Sequence, residues 1–152
     1  MGGPMDPKEL LDSLTLALED LAEANRTSPI VVEGENDVRA LRVLGVRGEV
    51  VSLNRGRRVF STCEDVAARH RGAIVLTDWD ASGGRLARLL REGFAANGVQ
   101  ANTDLRARLT VLCRKEIKDV ESLPGYLERI GRDASGRLRG KASKRWYGSR
   151  RA

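Results

Sequence analysis

Apolar positions along the chain follow two patterns, and the alternation between them predicts an architecture. Leu10, Leu11, Leu14, Leu18 and Leu21 recur at helical spacing. Just ahead of them, Asp6 suits an N-cap, Pro7 the first helical position and Glu9 the returning arm of a capping box. One amphipathic helix is therefore predicted over residues 5–26, its leucine stripe packed on the domain or, alternatively, offered to a second copy or partner. After the break at Thr27-Ser28-Pro29, short continuous apolar runs alternate with helical pattern. Strands are predicted at Ile30–Glu33, Glu49–Leu53, Ala73–Asp78 and Leu109–Arg114, and helices near Asp37–Leu44, Thr62–Arg71, Arg85–Asn97 and Leu123–Ile130. The helix Arg85–Asn97 carries Leu86, Leu89, Leu90 and Phe94 on one face and stops at Gly98, a residue suited to a left-handed cap. Short apolar strands separated by helices predict an α/β fold over residues 29–130: a parallel sheet of about four strands, covered on both faces. There are no internal repeats.

Charge divides the chain differently. A length of 152 residues allows one domain with appendages, and the net charge is +6. Between Gly131 and Ala152 stand eight Lys or Arg and one acid, Asp133, so the excess of positive charge lies at the C-terminal end. Residues 131–152 have too little apolar content to fold alone, and such a tail points to a polyanion, most often nucleic acid. Arg137, Arg139, Lys141, Lys144 and Arg145 are its candidate phosphate contacts. Trp146 and Tyr147 suit stacking on unpaired bases or insertion against structured RNA. A second basic group, Arg55, Arg57 and Arg58, follows the second strand and is read as phosphate-binding. A solvated loop and a tail with incidental aromatics are the plainer alternatives.

Other features narrow the setting. No apolar run approaches the roughly 20 residues of a membrane span, and Met1 to Asp12 lacks the apolar stretch of a signal peptide. Cys63 and Cys113 are isolated, without metal-ligand spacing or a disulfide framework, and read as buried thiols in a reducing cytoplasm. His70, at a predicted helix end, reads as solvated rather than as a ligand. A cytoplasmic protein with no membrane association is expected.

Two acidic signatures carry the candidate chemistry. Ile30-Val31-Val32-Glu33-Gly34-Glu35-Asn36-Asp37 puts a glutamate after the first strand, and Ile74-Val75-Leu76-Thr77-Asp78-Trp79-Asp80 puts an Asp-x-Asp after the third. In extended chain Asp78 and Asp80 face one way and Trp79 the other. In open parallel sheets ligands bind beyond the carboxyl ends of the strands. Carboxylates gathered there suit Mg²⁺, which takes one or two of them and fills its shell with water and phosphate. Gly34, Gly83 and Gly84 are expected to leave room for a phosphate near the backbone. Crowded carboxylates also raise one another's proton affinity, which suits acid–base work. Loop acids that only cap helices are the alternative for either signature alone.

Val32-Glu33-Gly34-x-x-Asp37 followed by Leu76-Thr77-Asp78-Trp79-Asp80-x-x-Gly83 resembles the toprim domain, over about Pro29 to Tyr126. That domain is shared by type IA and type II topoisomerases, bacterial-type primases, recombination proteins and small nucleases. The resemblance implies an acid/base role for Glu33, with Asp78 and Asp80 as Mg²⁺ ligands. Lys118-Asp119-Val120-Glu121 is similar to an acidic segment of small toprim proteins related to 5S rRNA maturation endonucleases. This makes Asp119 and Glu121, with Asp37, additional site candidates. Asn54-Arg55-Gly56 is similar to a glycine-bearing loop of the same proteins. Ser82 stands where type II topoisomerases carry a third aspartate, and Glu35 where small nuclease-like members are often basic. Nothing resembles the domain bearing a topoisomerase's nucleophilic tyrosine or the zinc module of primases, so Tyr126 reads as a packing residue. The implied function is Mg²⁺-dependent phosphodiester cleavage in structured RNA of the rRNA-processing type. The alternative is a non-catalytic protein bound to the ribosome or its RNA.

Overall fold

The structure, a computed structural model, describes residues 5–54 and 58–136. The basic residues Arg55 and Arg57, and Arg137, Arg139, Lys141, Lys144, Arg145, Trp146 and Tyr147 of the tail, lie outside the described residues. Four short strands, β1 (Ile30–Val32), β2 (Val50–Ser52), β3 (Gly72–Val75) and β4 (Gln100–Asn102), form one wholly parallel sheet in the order β2-β1-β3-β4. Six helices accompany them: α1 (Pro7–Ala24), α2 (Glu35–Val43), α3 (Val59–Ala67), α4 (Ala81–Ala96), α5 (Asp104–Cys113) and α6 (Leu123–Gly136).

Alternation along the central strands builds two cores. Ile30, Val32, Ile74 and Leu76 enter the layer covered by α1, α2, α5 and α6, whereas Val31, Ala73 and Val75 enter the layer under α3 and α4. The leucine stripe of α1 is therefore a packing face, with Leu14, Leu18 and Leu21 buried. Asp6 caps its start as expected, Oδ1 accepting from the Lys8 and Glu9 N–H groups at 2.8 and 3.2 Å, while the Glu9 carboxylate makes no returning bond among the described residues. Tyr126 is buried, and the guanidinium of Arg129 lies 5.1 Å from its ring centre. Both cysteines are buried free thiols, pushed up by burial to about 11 for Cys63 and about 12 for Cys113.

The fourth strand corrects the sequence expectation. Leu109–Arg114 is not a strand but the second half of α5 and its C-cap, and β4 is the earlier, polar segment Gln100–Asn102. Leu109 and Cys113, four residues apart, are buried while Val111 between them is 66% exposed, a helical period rather than an alternating or continuous one. Leu89, placed with the buried face of α4, is 38% exposed; Leu90 and Phe94 carry that face, and Gly98 takes the expected positive φ of 74°. At the C-terminal side α6 continues past Ile130 to Gly136 with Ala134 and Ser135 buried, so the ordered domain extends six residues into the segment read as tail. Among the described residues no helix is long and apolar enough to cross a membrane.

Candidate functional site

The chain leaves β1 toward β2 on one side of the sheet and β3 toward β4 on the other, so the order reverses between β1 and β3. A crevice opens at the carboxyl ends of such a pair, and it is where open α/β sheets place ligands. Glu33 directly follows β1, and Asp78 stands just beyond β3. The Glu33 Oε2 accepts the Asp78 backbone N–H at 2.9 Å, a bond that ties the two strand ends together.

A third segment closes over this edge. The Trp79 indole N–H donates to the Ile117 carbonyl at 2.7 Å, and its backbone N–H donates to the Lys118 carbonyl at 2.8 Å. With its ring buried in the α1-side core, Trp79 draws residues 117–121 against the end of β3. Val120, fully buried, then donates its N–H to Asp78 Oδ1 at 3.3 Å. Asp119 and Glu121 flank that anchor. Asp119 Oδ1 accepts the Ser122 N–H at 2.8 Å, and Glu121 Oε2 accepts from Asn36 Nδ2 at 3.4 Å.

Two of the acids also cap helices, so the plainer alternative holds in part. Asp80 is the N-cap of α4 and accepts the Gly83 N–H at 2.7 Å. Asp37, buried in the first turn of α2, reaches back to the Gly34 N–H at 3.1 Å. Capping does not discharge their mutual repulsion. Burial pushes Asp78 up to about 7, reinforced by the charges of Glu33, Asp37 and Asp119. Burial likewise raises Glu33, helped by Asp80 and Asp37 against the Asp78 N–H bond, and raises Asp37, helped by Glu121 and Asp119. Six carboxylates are thus electrostatically linked at one sheet edge: Glu33, Asp37, Asp78, Asp80, Asp119 and Glu121.

Gly83 has a different role from the one expected. A Cβ there would lie 1.8 Å from the Asp78 carbonyl oxygen, so the glycine serves close packing inside the turn rather than ligand approach. The Thr77 hydroxyl donates to the Gly83 carbonyl at 2.8 Å and completes the lock. At Gly34 a Cβ would meet nothing within 4 Å, leaving open space before the turn.

Sequence reasoning overlooked Arg106. From α5 its Nε donates to the carbonyls of Thr77 and Asp78 at 3.1 and 3.3 Å, and its Nη2 to that of Asp78 at 2.8 Å. Burial lowers its pKa, against the pull of Glu33, Asp80 and Asp78. Arg58, by contrast, is the exposed N-cap residue of α3, without a side-chain capping bond.

Among the described residues no three Asp, Glu, His or Cys side chains form a ready-made ion cage. Mg²⁺ does not require one, because it keeps several waters and takes one or two carboxylates together with substrate oxygens.

Fold and site define a parallel α/β protein with an acidic edge at its topological switch point. No family model matches the chain. It is 34% identical over 124 residues to the UPF0292 protein of Methanosarcina barkeri, spanning 81% of this chain and 86% of that one. It is 32% identical over 121 residues to the UPF0292 protein of Methanocaldococcus jannaschii, spanning 80% and 94% respectively. The chain belongs to the UPF0292 family. A solved structure of a protein from Aquifex aeolicus is similar with a TM-score of 0.64 at 26% identity, covering 72% of this chain and 96% of that one. The family name specifies no activity.

Proposed function

We propose that this is a toprim-type protein that cleaves phosphodiester bonds in structured RNA with the help of Mg²⁺. The supporting observation is the gathering of acids at the switch point, where Glu33 accepts the Asp78 N–H at 2.9 Å and burial with the neighbouring carboxylates pushes Asp78 up to about 7. The donors are all hard oxygens and their charge exceeds what Arg106 offsets, which fits a divalent cation. Asp78 and Asp80 would hold it, and when bound it supplies Lewis-acid polarisation of a phosphoryl oxygen. Glu33 orients itself through Oε2 on the Asp78 N–H, leaving Oε1 without a hydrogen bond among the described residues. With its proton affinity raised, that oxygen is suited to take a proton from an attacking hydroxyl or water and to return one to the leaving oxygen. Residues 117–121 and the Gly83 lock hold the carboxylates in register.

The test is cleavage of structured RNA across Mg²⁺ and Mn²⁺ concentrations by wild type and Asp80→Asn. The variant is expected to lose about 10²–10³-fold of the rate while binding RNA at least as well, since one repulsive charge toward phosphate is gone. Wild type that binds such RNAs and never cleaves them would sink the reading.

The cationic C-terminal end favours a second reading, a non-catalytic protein held on ribosomal RNA. Deleting residues 137–152, which leaves α6 whole, separates the two. If tail cations are the anchor, the slope of log affinity against log salt flattens by about 0.7–0.9 for each phosphate no longer neutralised. Cleavage by the truncated protein at low salt would reject the scaffold reading.

A further inference from the structure

The fold uses only part of Arg106. A guanidinium presents five N–H donors in a fixed fork. Nε and Nη2 are engaged by the Thr77 and Asp78 carbonyls, and no partner for Nη1 exists among the described residues. Nor does Arg106 form an ion pair with any of the carboxylates whose charges act on it, Glu33, Asp80 and Asp78. Its charge is held at the acidic edge by neutral carbonyls and is not consumed there. The guanidinium also borders the first turn of α4, since a Cβ on Gly84 would stand 3.8 Å from Nη2. In that turn the Gly83 and Gly84 N–H groups are bound to Asp80, whereas those of Ala81 and Ser82 have no partner among the described residues. A role in locking the β3–α4 turn accounts for Nε and Nη2 but leaves Nη1 unexplained.

We infer that Arg106 is a phosphate-contact residue of the crevice, Nη1 taking a non-bridging phosphate oxygen while Nε and Nη2 hold the Thr77–Asp78 backbone. This rests on the phosphodiester reading of the site. An approaching phosphate meets six carboxylates, and a cation not already neutralised by one of them offsets that repulsion. Lysine could not do both tasks, because its single ammonium lacks the planar fork that serves two sides at once.

The test uses the full-length protein with thymidine 3′,5′-bisphosphate in Mg²⁺, a probe that carries phosphates and no scissile diester. Tb³⁺ luminescence sensitised by Trp79, between Asp78 and Asp80, reports cation binding separately. Arg106→Gln is expected to weaken the probe about tenfold or more, the scale of a lost charge-assisted hydrogen bond, while Tb³⁺ affinity stays near wild type. For a labelled oligonucleotide the salt slope should flatten by about 0.7–0.9, one phosphate's share. Arg106→Lys should recover the slope but only part of the probe affinity. Three results would overturn the inference: wild type that does not bind the probe, Arg106→Gln that binds it equally well, or loss of Tb³⁺ affinity and melting temperature with an unchanged slope. If Arg106→Gln does not fold, equal probe affinity in Arg106→Lys overturns it instead. Wild type that binds the probe through Arg106 yet never cleaves RNA fails the nuclease reading and leaves the phosphate contact standing. Cleavage with unchanged probe binding in Arg106→Gln does the reverse.

Discussion

Two glutamates flank neighbouring strands of the sheet under opposite electrostatic conditions. Glu49 precedes β2 at the amino edge and is held by Arg69 at 2.8 Å and by His70 at 2.9 Å. Its hydrogen bond to Arg69, more than any other influence, keeps its pKa below the ordinary value. Glu33 follows β1 at the carboxyl edge, where burial and neighbouring aspartates push it the other way. The amino edge spends its charges on itself, which contributes stability and leaves no demand for a ligand. The carboxyl edge assembles like charges that cost stability, and such an arrangement is retained where a partner of opposite charge relieves it.

The comparison is broken most severely through the backbone. At Gly83 an added Cβ meets the Asp78 carbonyl oxygen at 1.8 Å and its carbon at 2.5 Å, and neither can move without displacing the Asp78 side chain. Gly83→Ala is expected to cost about 3 kcal/mol or more and to remove Mg²⁺-induced stabilisation along with it. At the amino edge, a Cβ on Gly72 meets the Ser28 hydroxyl at 3.1 Å, the rotatable end of a side chain, and the Gln100 carbonyl oxygen at an ordinary contact distance of 3.8 Å. Gly72→Ala should cost about 1 kcal/mol or less. Urea unfolding of both variants checks this, and equal losses would show that the carboxyl edge is no more tightly built than the other.

The same contrast explains what the sequence discloses. β1 and β3, with the Glu33, Asp78 and Asp80 positions, are legible because buried parallel strands need continuous apolar runs, and the acids sit where those runs stop. Half-buried β2 is legible through Val50, Val51 and the buried Leu53. β4 is illegible for the converse reason. Like β2 it is an edge strand, but Gln100-Ala101-Asn102 has no apolar run to announce it. Leu109–Arg114 imitates a strand because Thr110, Val111 and Leu112 happen to fill the gap between two buried residues of a helix. Gly83 is visible as a glycine, but its close approach to Asp78 depends on how α4 turns back on β3. Arg106 is invisible, one arginine among many until α5 is placed over the carbonyls of Thr77 and Asp78.

Asp78 has a folded pKa of about 7, above the roughly 3.9 of an unfolded aspartate. A group raised in this way contributes its stability below the unfolded value, and the contribution is lost as pH rises through the folded one. Protein freed of divalent cations should therefore be more stable at pH 5 than at pH 8. Asp78→Asn, which keeps an oxygen for the Val120 N–H, should flatten that dependence. At pH 8 it should stabilise the metal-free protein by about 1–2 kcal/mol, allowing for solvent screening of a half-buried group. Added Mg²⁺ should stabilise wild type at pH 8 and do little for the variant. Thermal melts from pH 5 to 8 with and without chelator check both, and parallel curves for the two proteins would refute the strained carboxyl edge.

The smallest effect belongs to Glu49, and its sign is the informative part. A carboxylate whose pKa is lowered by folding contributes stability above its unfolded value, about 4.3, and loses it as pH falls through the folded value. The Arg69–Glu49 ion pair is partly exposed, so Glu49→Gln should cost only about 0.5 kcal/mol at pH 7, with the loss shrinking in acid. Molar salt should shrink it as well, because screening acts on exposed pairs. Asp78→Asn and Glu49→Gln each remove one negative charge from a chain of net charge +6. A general charge effect would move their stabilities in the same direction. Opposite movement at pH 8 without metal, measured in paired melts, can arise only if the two ends of the sheet treat a carboxylate differently.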